Sequence, residues 1–444
     1  LNHLRDMFRI GPAHNDHHVA VRCGLGVGVP LLLLLVLGRI DLAIFASFGA
    51  FTGIYGRNEP HRQRFGHQLR AGALMLAVIF AGTLTSRLEP SAWDIVIGTT
   101  AVAGLGTLAT GFWRLRPAGS LFHIFAYAAI SSVPHQPPIP QAMLVAAATV
   151  VFSLLLGLSG WLLSRHRTSW EKPERRRFTS IERRAIYADA AQYAVVAAVA
   201  GSIATVLGVG HNYWAMVAAT VPLVGLTVRN RLHRGLQRIL GTFGGLLLTA
   251  LILLPGLQPW QMVVVIALLQ FGAEMLIARQ YALAQVVVTP LALVSTELAH
   301  PGDPLLLIQD RAVETVIGAA VGMAMVLTVQ LYQRRNARRP LLGEQPRKPA
   351  LGGSTAVCLW GTSPGYRPVA TASGRFRVPV PAGLGSYRSR FRPRTAMSSL
   401  RIRRSSSLSD SVWDPPWARR YRSASSRRTR QSRSLCSSPA SAER

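Results

Sequence analysis

The chain has 444 residues, 49% of them hydrophobic and only 15% charged, with 49 Lys and Arg against 19 Asp and Glu, a formal net charge of +30 and three Cys. Globular chains carry roughly a quarter charged residues, so this composition excludes an ordinary soluble enzyme, and apolar runs such as 29–37 and 145–163 point to lipid. A disulfide scaffold is excluded too, because Cys23, Cys358 and Cys436 stand far apart, form no CxxC pair and carry no metal or redox signal.

A helix needs about 20 residues to cross a hydrocarbon core of ~30 Å. About twelve windows of that kind precede residue 332, starting near Val19, Asp41, His67, Trp93, Gly119, Gln141, Tyr187, Tyr213, Leu236, Trp260, Tyr281 and Ile308. The first follows Arg5 and Arg9, but it is too long for a signal-peptide core and no clear cleavage site follows, so it reads as a retained span. The chain begins at Leu1 rather than Met, as a fragment or an alternative start would.

Basic residues test this count independently, since Lys and Arg in short loops stay on the cytoplasmic side. Arg57, Arg62 and Arg64 follow span two, Arg114 and Arg116 follow span four, and a dense basic stretch over 165–184 follows span six. The second half repeats the alternation with Arg229, Arg231 and Arg234, then Arg279, then Arg334, Arg335, Arg338 and Arg339. The opposite loops hold mainly Arg39 and Arg87 as bases, together with Asp41, Glu89, Asp94, Glu297 and Asp303. The expected fold is an all-α polytopic membrane protein of about twelve transmembrane helices with both termini cytoplasmic.

The halves match each other at an offset of about 172 residues, in pairs that include Gly38/Gly210, Gly53/Gly225, Arg57/Arg229, Asn58/Asn230, His61/His233, Arg62/Arg234 and Gly72/Gly244. Each half holds six spans, an even number, so the repeat is parallel rather than inverted. The expected organisation is a first six-helix repeat over 1–164, a basic cytoplasmic linker over 165–186, a second repeat over 187–332, and a tail over 333–444. About half of the basic residues lie in that Arg-, Ser- and Pro-rich tail, which has no spanning window and is expected to be disordered. It reads as a GC-rich gene translated out of frame, ahead of a tether to anionic lipid and of an RNA-binding tail; no regular Arg-Gly-Gly or Arg-Ser repeat marks a specific nucleic acid as a partner.

Ionisable side chains within spans are costly and mark function by default. Arg22 and Asp189 lie near span ends and can snorkel, while His123 lies in span five. Arg311 and Glu314 are three residues apart on one face and can pair. Glu274, in span ten between Gln270 and Arg279, is the best proton-carrier candidate. Spans two (41–56) and eight (213–228) are short and carry Gly49 and Gly53 in one, Pro222 and Gly225 in the other. Such paired short segments point to a transporter's substrate site, or to close helix packing through small residues. Thr289-Pro290 breaks the hydrogen bonding in the middle of span eleven. Arg57, His61 and Arg62 with Arg229, His233 and Arg234 form two basic mouths that can attract anions, besides setting topology. The cluster His14-Asn-Asp-His17-His18 lacks partner ligands, so no metal is expected, nor any cofactor, and no phosphate-binding loop or nucleophile motif is present.

Tyr213-Trp214-Ala215 through Pro222, and Arg238-Ile-Leu-Gly241-Thr242-Phe-Gly244, resemble the fusaric acid resistance protein-like family of bacterial inner-membrane proteins. Tyr281, Thr289-Pro290 and Arg311-Ala-Val-Glu314-Thr315-Val-Ile-Gly318 resemble its later patterns in order. The resemblance covers about 187–332; the first half departs from it, with Leu69 and Arg70 where the offset places Gly241 and Thr242. It implies a membrane exporter of small, often aromatic, carboxylates, driven by proton motive force, and relatedness to plant aluminium-activated malate transporters, which are anion channels. The expected function is export of small organic acids by proton antiport in the inner membrane, with Glu274, Arg311, Glu314, Tyr281, Thr289 and Pro290 as coupling or substrate residues. Its partners are the bilayer, small organic anions and protons, with homodimerisation open. A passive anion channel and a non-transporting membrane scaffold are the alternatives.

Overall fold

The computed structural model describes residues 10–343 apart from 13–15, 58, 135, 163–176, 226 and 300–301. Expectations placed on the tail beyond 343, most of the basic linker, Arg5, Arg9, His14 and Asn58 lie outside the described residues.

Among the described residues the architecture is all helical. In chain order come α1 (Asp16–Val36), α2 (Ala43–Ala50), α3 (His61–Ser86), α4 (Ala92–Phe112), α5 (Leu121–Ser131), α6 (Ile139–Leu162), α7 (Ser180–Val206), α8 (Tyr213–Thr220), α9 (Val228–Leu253), α10 (Pro259–Leu276), α11 (Tyr281–Ala299) and α12 (Pro304–Gly343). Nine of them are long and apolar enough to cross a membrane, and the shorter apolar stretches are Ile40–Ile54, Leu121–Ser131 and Tyr213–Leu223. The expectation of twelve full crossings is therefore corrected to twelve helices, nine of which are candidate crossings. The shortness of α2 and α8 is legible in their sequence. That of α5 is not: its 11 residues rise only about 16 Å, half a hydrocarbon core, because non-helical stretches at 117–120 and 133–134 cut the apolar run from both sides.

Local chemistry sets the helix starts. Ser91 and Asp94 form a reciprocal capping box at α4, and Thr179 and Glu182 form one at α7, each satisfying two orphan backbone donors. The short α2 and α8 both end in a 3-10 turn, and each then leads through a glycine at positive φ, Gly56 (68°) and Gly225 (155°), into the next long helix. At both places an arginine of that helix folds back onto the glycine carbonyl, Arg64 Nε to Gly56 O at 3.2 Å and Arg231 Nε to Gly225 O at 3.3 Å. A Cβ on either glycine would press on that arginine's backbone and side chain, so the turn needs glycine for space as well as for φ. The shared Arg-Asn-x-x-His-Arg motif does not keep one register, since Arg57 lies in the connector before α3 whereas Arg229 is already inside α9.

Small residues let the helix backbones approach closely. On α9, a Cβ at Gly241 would lie 2.5 Å from the Ala282 carbonyl of α11, and one at Gly245 would lie 3.0 Å from the Val286 carbonyl. That second carbonyl is the one Pro290, four residues on, cannot bond for want of an N–H. On α12, Gly318 and Gly322 meet the Ala215 and Ala219 carbonyls of α8. The main helix pairs recur between halves: α3 packs on α5 and α9 on α11, while α1 packs on α10 and α7 on α4. One buried apolar cluster gathers α1, α2, α3, α5 and α6 with Tyr213, Trp214, Val263, Ile266, Val294 and Leu298 of the second half.

Overpacking such a contact costs about 1–3 kcal/mol. Gly318→Val is expected to lower the Tm of the detergent-solubilised protein by roughly 5 °C or more, whereas Gly302→Ala, which meets nothing within 4 Å, leaves it unchanged. Equal Tm values for the two variants would contradict this packing.

Candidate functional site

The close contacts of α9 with α11, and of α12 with α8, bring polar side chains of four helices into one buried layer. Arg238 and Thr242 lie one turn apart on α9; Tyr281, Gln285 and Thr289 follow at successive turns of α11; Arg311, Glu314 and Thr315 share a face of α12; and Trp214 comes from α8. Such spacings place residues on one side of a helix. Arg311 is 1% exposed, Glu314 0% and Arg238 4%.

The guanidinium of Arg311 stands over the Trp214 ring, with Cζ 3.7 Å from its centroid, a cation–π contact that strengthens when desolvated. Arg238 Nη1 donates to Gln285 Oε1, and Thr289 Oγ1 donates to the Gln285 carbonyl at 2.8 Å. The remaining donors stay open: Arg311 Nε and Nη1, Arg238 Nε and Nη2, Trp214 Nε1 and the hydroxyls of Thr242 and Thr315 are buried with no hydrogen-bond partner. Both carboxylate oxygens of Glu314 are likewise without a partner of normal geometry. The Arg311–Glu314 pairing that their spacing allows is thus not made, because the guanidinium packs on Trp214 instead. Asp310, next along α12, is engaged by His211 at 3.2 Å. Tyr213, Tyr281, Arg238 and Glu314 are the groups whose charge or polarity acts on Arg311.

Glu274 lies in a different constellation. It sits in the last turn of α10 and receives Arg57 Nη1 at 2.6 Å, while Arg57 Nη2 donates to its backbone carbonyl at 2.5 Å and lies 3.4 Å from Asp16. Asp16 in turn holds Arg279 at 3.2 Å, and Gln270 Nε2 reaches Glu274 at 3.4 Å. This buried network joins the start of α1, the α2–α3 connector and the end of α10. Of the residues of the two basic mouths, Arg57 is drawn into this network, Arg234 lies with Cζ 5.1 Å from the Tyr281 ring centroid, Arg229 is exposed, and His61, Arg62 and His233 are half-buried. Asp16 and Gln285 carry no motif, and their roles depend on distant helices. Among the described residues no group of three or more His, Cys, Asp and Glu is placed to hold a metal.

Breaking a buried ion pair from one side leaves an uncompensated charge and costs about 3–5 kcal/mol, whereas an apolar replacement of both partners is far milder. Arg57→Leu is expected to destabilise the protein by that amount in thermal unfolding, and the Arg57→Leu/Glu274→Leu double variant to regain most of it. A double variant as unstable as the sum of its single changes would show that the two side chains are not coupled.

Residues 197–325 match the model of a family described as fusaric acid resistance protein-like. This segment holds Arg238, Gly241, Thr242, Tyr281, Gln285, Arg311, Glu314 and Gly318. The uncharacterized membrane protein YvaC of Bacillus subtilis (strain 168) is 34% identical over 151 residues, which are 34% of this chain and 24% of that protein. The chain thus spans about a quarter of the length of the curated relative it matches. No solved structure matches it. The all-helical architecture of the described residues, with nine candidate crossings, and the similarity of 197–325 to the fusaric acid resistance protein-like family together make this a multi-pass membrane protein.

Proposed function

We propose that the protein exports small organic anions, aromatic carboxylates among them, across the bacterial inner membrane in a proton-coupled cycle. The observation that carries this reading is the pair of buried guanidiniums, Arg238 and Arg311, which act on each other and keep unpaired donors, with Thr242 one turn from Arg238, Thr315 one turn from Arg311, and Trp214 beneath Arg311. Buried donors are nearly always satisfied, and a guanidinium presents a planar fork that matches a carboxylate. A monovalent carboxylate would engage these donors and offset charge that the bundle otherwise holds without a counter-ion in hydrogen-bond contact. Glu314, in the same layer, is the group this reading assigns to proton coupling.

Further support comes from the surroundings. Phe125 lies 4.5 Å from Trp214 and 5.0 Å from Phe48, centroid to centroid, a wall suited to a planar apolar body. Glu274, expected from the sequence as the proton carrier, is held by Arg57 and takes a structural part in this scheme. The recurrence of the α1–α10 contact as α7–α4, and of the Arg64–Gly56 bond as Arg231–Gly225, supports two parallel six-helix repeats about a pseudo-two-fold axis. The basic residues of alternate loops support cytoplasmic termini.

Reconstituted in liposomes with the membrane potential clamped, the full chain is expected to drive uptake or release of a labelled aromatic acid on an imposed pH gradient alone. Arg238→Gln and Arg311→Gln are each expected to reduce that flux at least tenfold, as loss of a charged hydrogen-bond donor does. Flux that follows the anion gradient and ignores pH would make the protein a passive anion channel. Indifference to both substitutions, or no flux of any acid, would overturn the proposal.

A further inference from the structure

The first half holds a second set of orphaned polar atoms. His123 of α5 is 0% exposed, and neither Nδ1 nor Nε2 has a hydrogen-bond partner. Tyr55, in the connector after α2, is also 0% exposed, and its hydroxyl has no partner. Their ring centroids are 6.1 Å apart.

Neighbouring hydroxyls do not serve these atoms. Thr107 Oγ1 donates to the Ala103 carbonyl at 2.7 Å and meets Ser120 Oγ at 2.8 Å, and Ser120 Oγ also donates to that carbonyl. Tyr127 is engaged with Thr85 at 3.0 Å. Among the described residues burial alone acts on His123, and the group that acts on Tyr55 is another tyrosine, Tyr193. An imidazole in such surroundings is neutral, because an unpaired buried imidazolium is costly. It then offers one N–H donor and one nitrogen acceptor, and Tyr55 adds a hydroxyl that serves either way. No cation is hydrogen-bonded to this pair among the described residues, and an uncharged group with both a donor and an acceptor can engage one ring nitrogen together with the Tyr55 hydroxyl.

The rings around this pair favour an aromatic body on that group. Phe122 lies 6.3 Å from Tyr55 and 5.3 Å from Phe51. Phe51 lies 6.5 Å from Phe125, which reaches Trp214 and so the Arg311 guanidinium. An unbroken series of aromatic contacts therefore leads from the neutral pair to the cationic layer.

We infer that Tyr55 and His123 form a second binding site, separate from the Arg238–Arg311 layer, that takes the uncharged polar end of a small aromatic molecule: an amide, a hydroxyl or an un-ionised carboxyl. The site discriminates by charge. The neutral pair binds the uncharged form of such a group, and the arginine layer binds the ionised one.

Benzamide and benzoate, titrated separately into the purified full chain in lipid nanodiscs, test this. Benzamide is expected to bind the unaltered protein, to bind at least tenfold more weakly to His123→Leu and several-fold more weakly to Tyr55→Phe, and to keep its affinity in His123→Gln, which retains a donor and an acceptor, and in Arg311→Gln. Benzoate at neutral pH is expected to lose affinity in Arg311→Gln and to keep it in Tyr55→Phe. Tyr55→Phe removes a single oxygen and so decides the matter if His123→Leu fails to fold. Absence of benzamide binding, as a site filled by water alone would give, overturns the inference. So does benzamide affinity that follows Arg311 or ignores both Tyr55 and His123. Failure of benzoate binding alone would count against the anion site and leave this one standing.

Discussion

Contact of helix backbones through glycine is the constraint on which the rest of this molecule depends. In lipid, apolar side chains gain little by leaving one apolar medium for another, so helices associate through close packing and polar contacts. Gly241 and Gly245 seat α9 on α11, and Gly318 and Gly322 seat α12 on α8. Only at that separation do Arg238, Gln285, Arg311 and Trp214, borne on four different helices, share one layer. The glycines of the family motif therefore act on the polar site at a distance, by setting how near its helices lie.

The buried charges divide into two kinds. Around Glu274 the opposite charges meet: two arginines, two carboxylates and a glutamine join α1, the α2–α3 connector and α10. Such a network rigidifies the region where it sits, and it ties the first half of the chain to the second. Around Arg311 the opposite holds, since its Nε and Nη1 and both carboxylate oxygens of Glu314 are buried without a hydrogen-bond partner. A structure tolerates that cost where a guest removes it, which is why this layer rather than the Glu274 network carries the proposed transport chemistry. The Tyr55–His123 pair follows the same logic without charge.

Much of this architecture is legible in the amino-acid sequence. Apolar windows locate all twelve helices, and the short segments at 41–56 and 213–228 mark α2 and α8. The family resemblance names Arg238, Thr242, Arg311 and Glu314, each of which is buried. Three features are hidden from such a reading. The shortness of α5 depends on turns that hydropathy averages away; the Arg64–Gly56 and Arg231–Gly225 bonds look like topological charge; and Glu274 looks isolated because its partner Arg57 is more than two hundred residues distant in sequence.

The sequence by itself determined that this chain lives in a membrane and is built of helices, because lipid imposes a minimum apolar length and leaves internal hydrogen bonding as the means of satisfying the backbone. It also determined which residue types stand buried among those helices. Tertiary structure alone decided which of them meet. Arg311 and Glu314, three residues apart, do not pair, while Arg57 and Glu274 do. The reason is geometric: periodicity places a side chain on a face, but its partner depends on the rotation and separation of neighbouring helices, which here are set by glycines and carbonyls elsewhere along the chain.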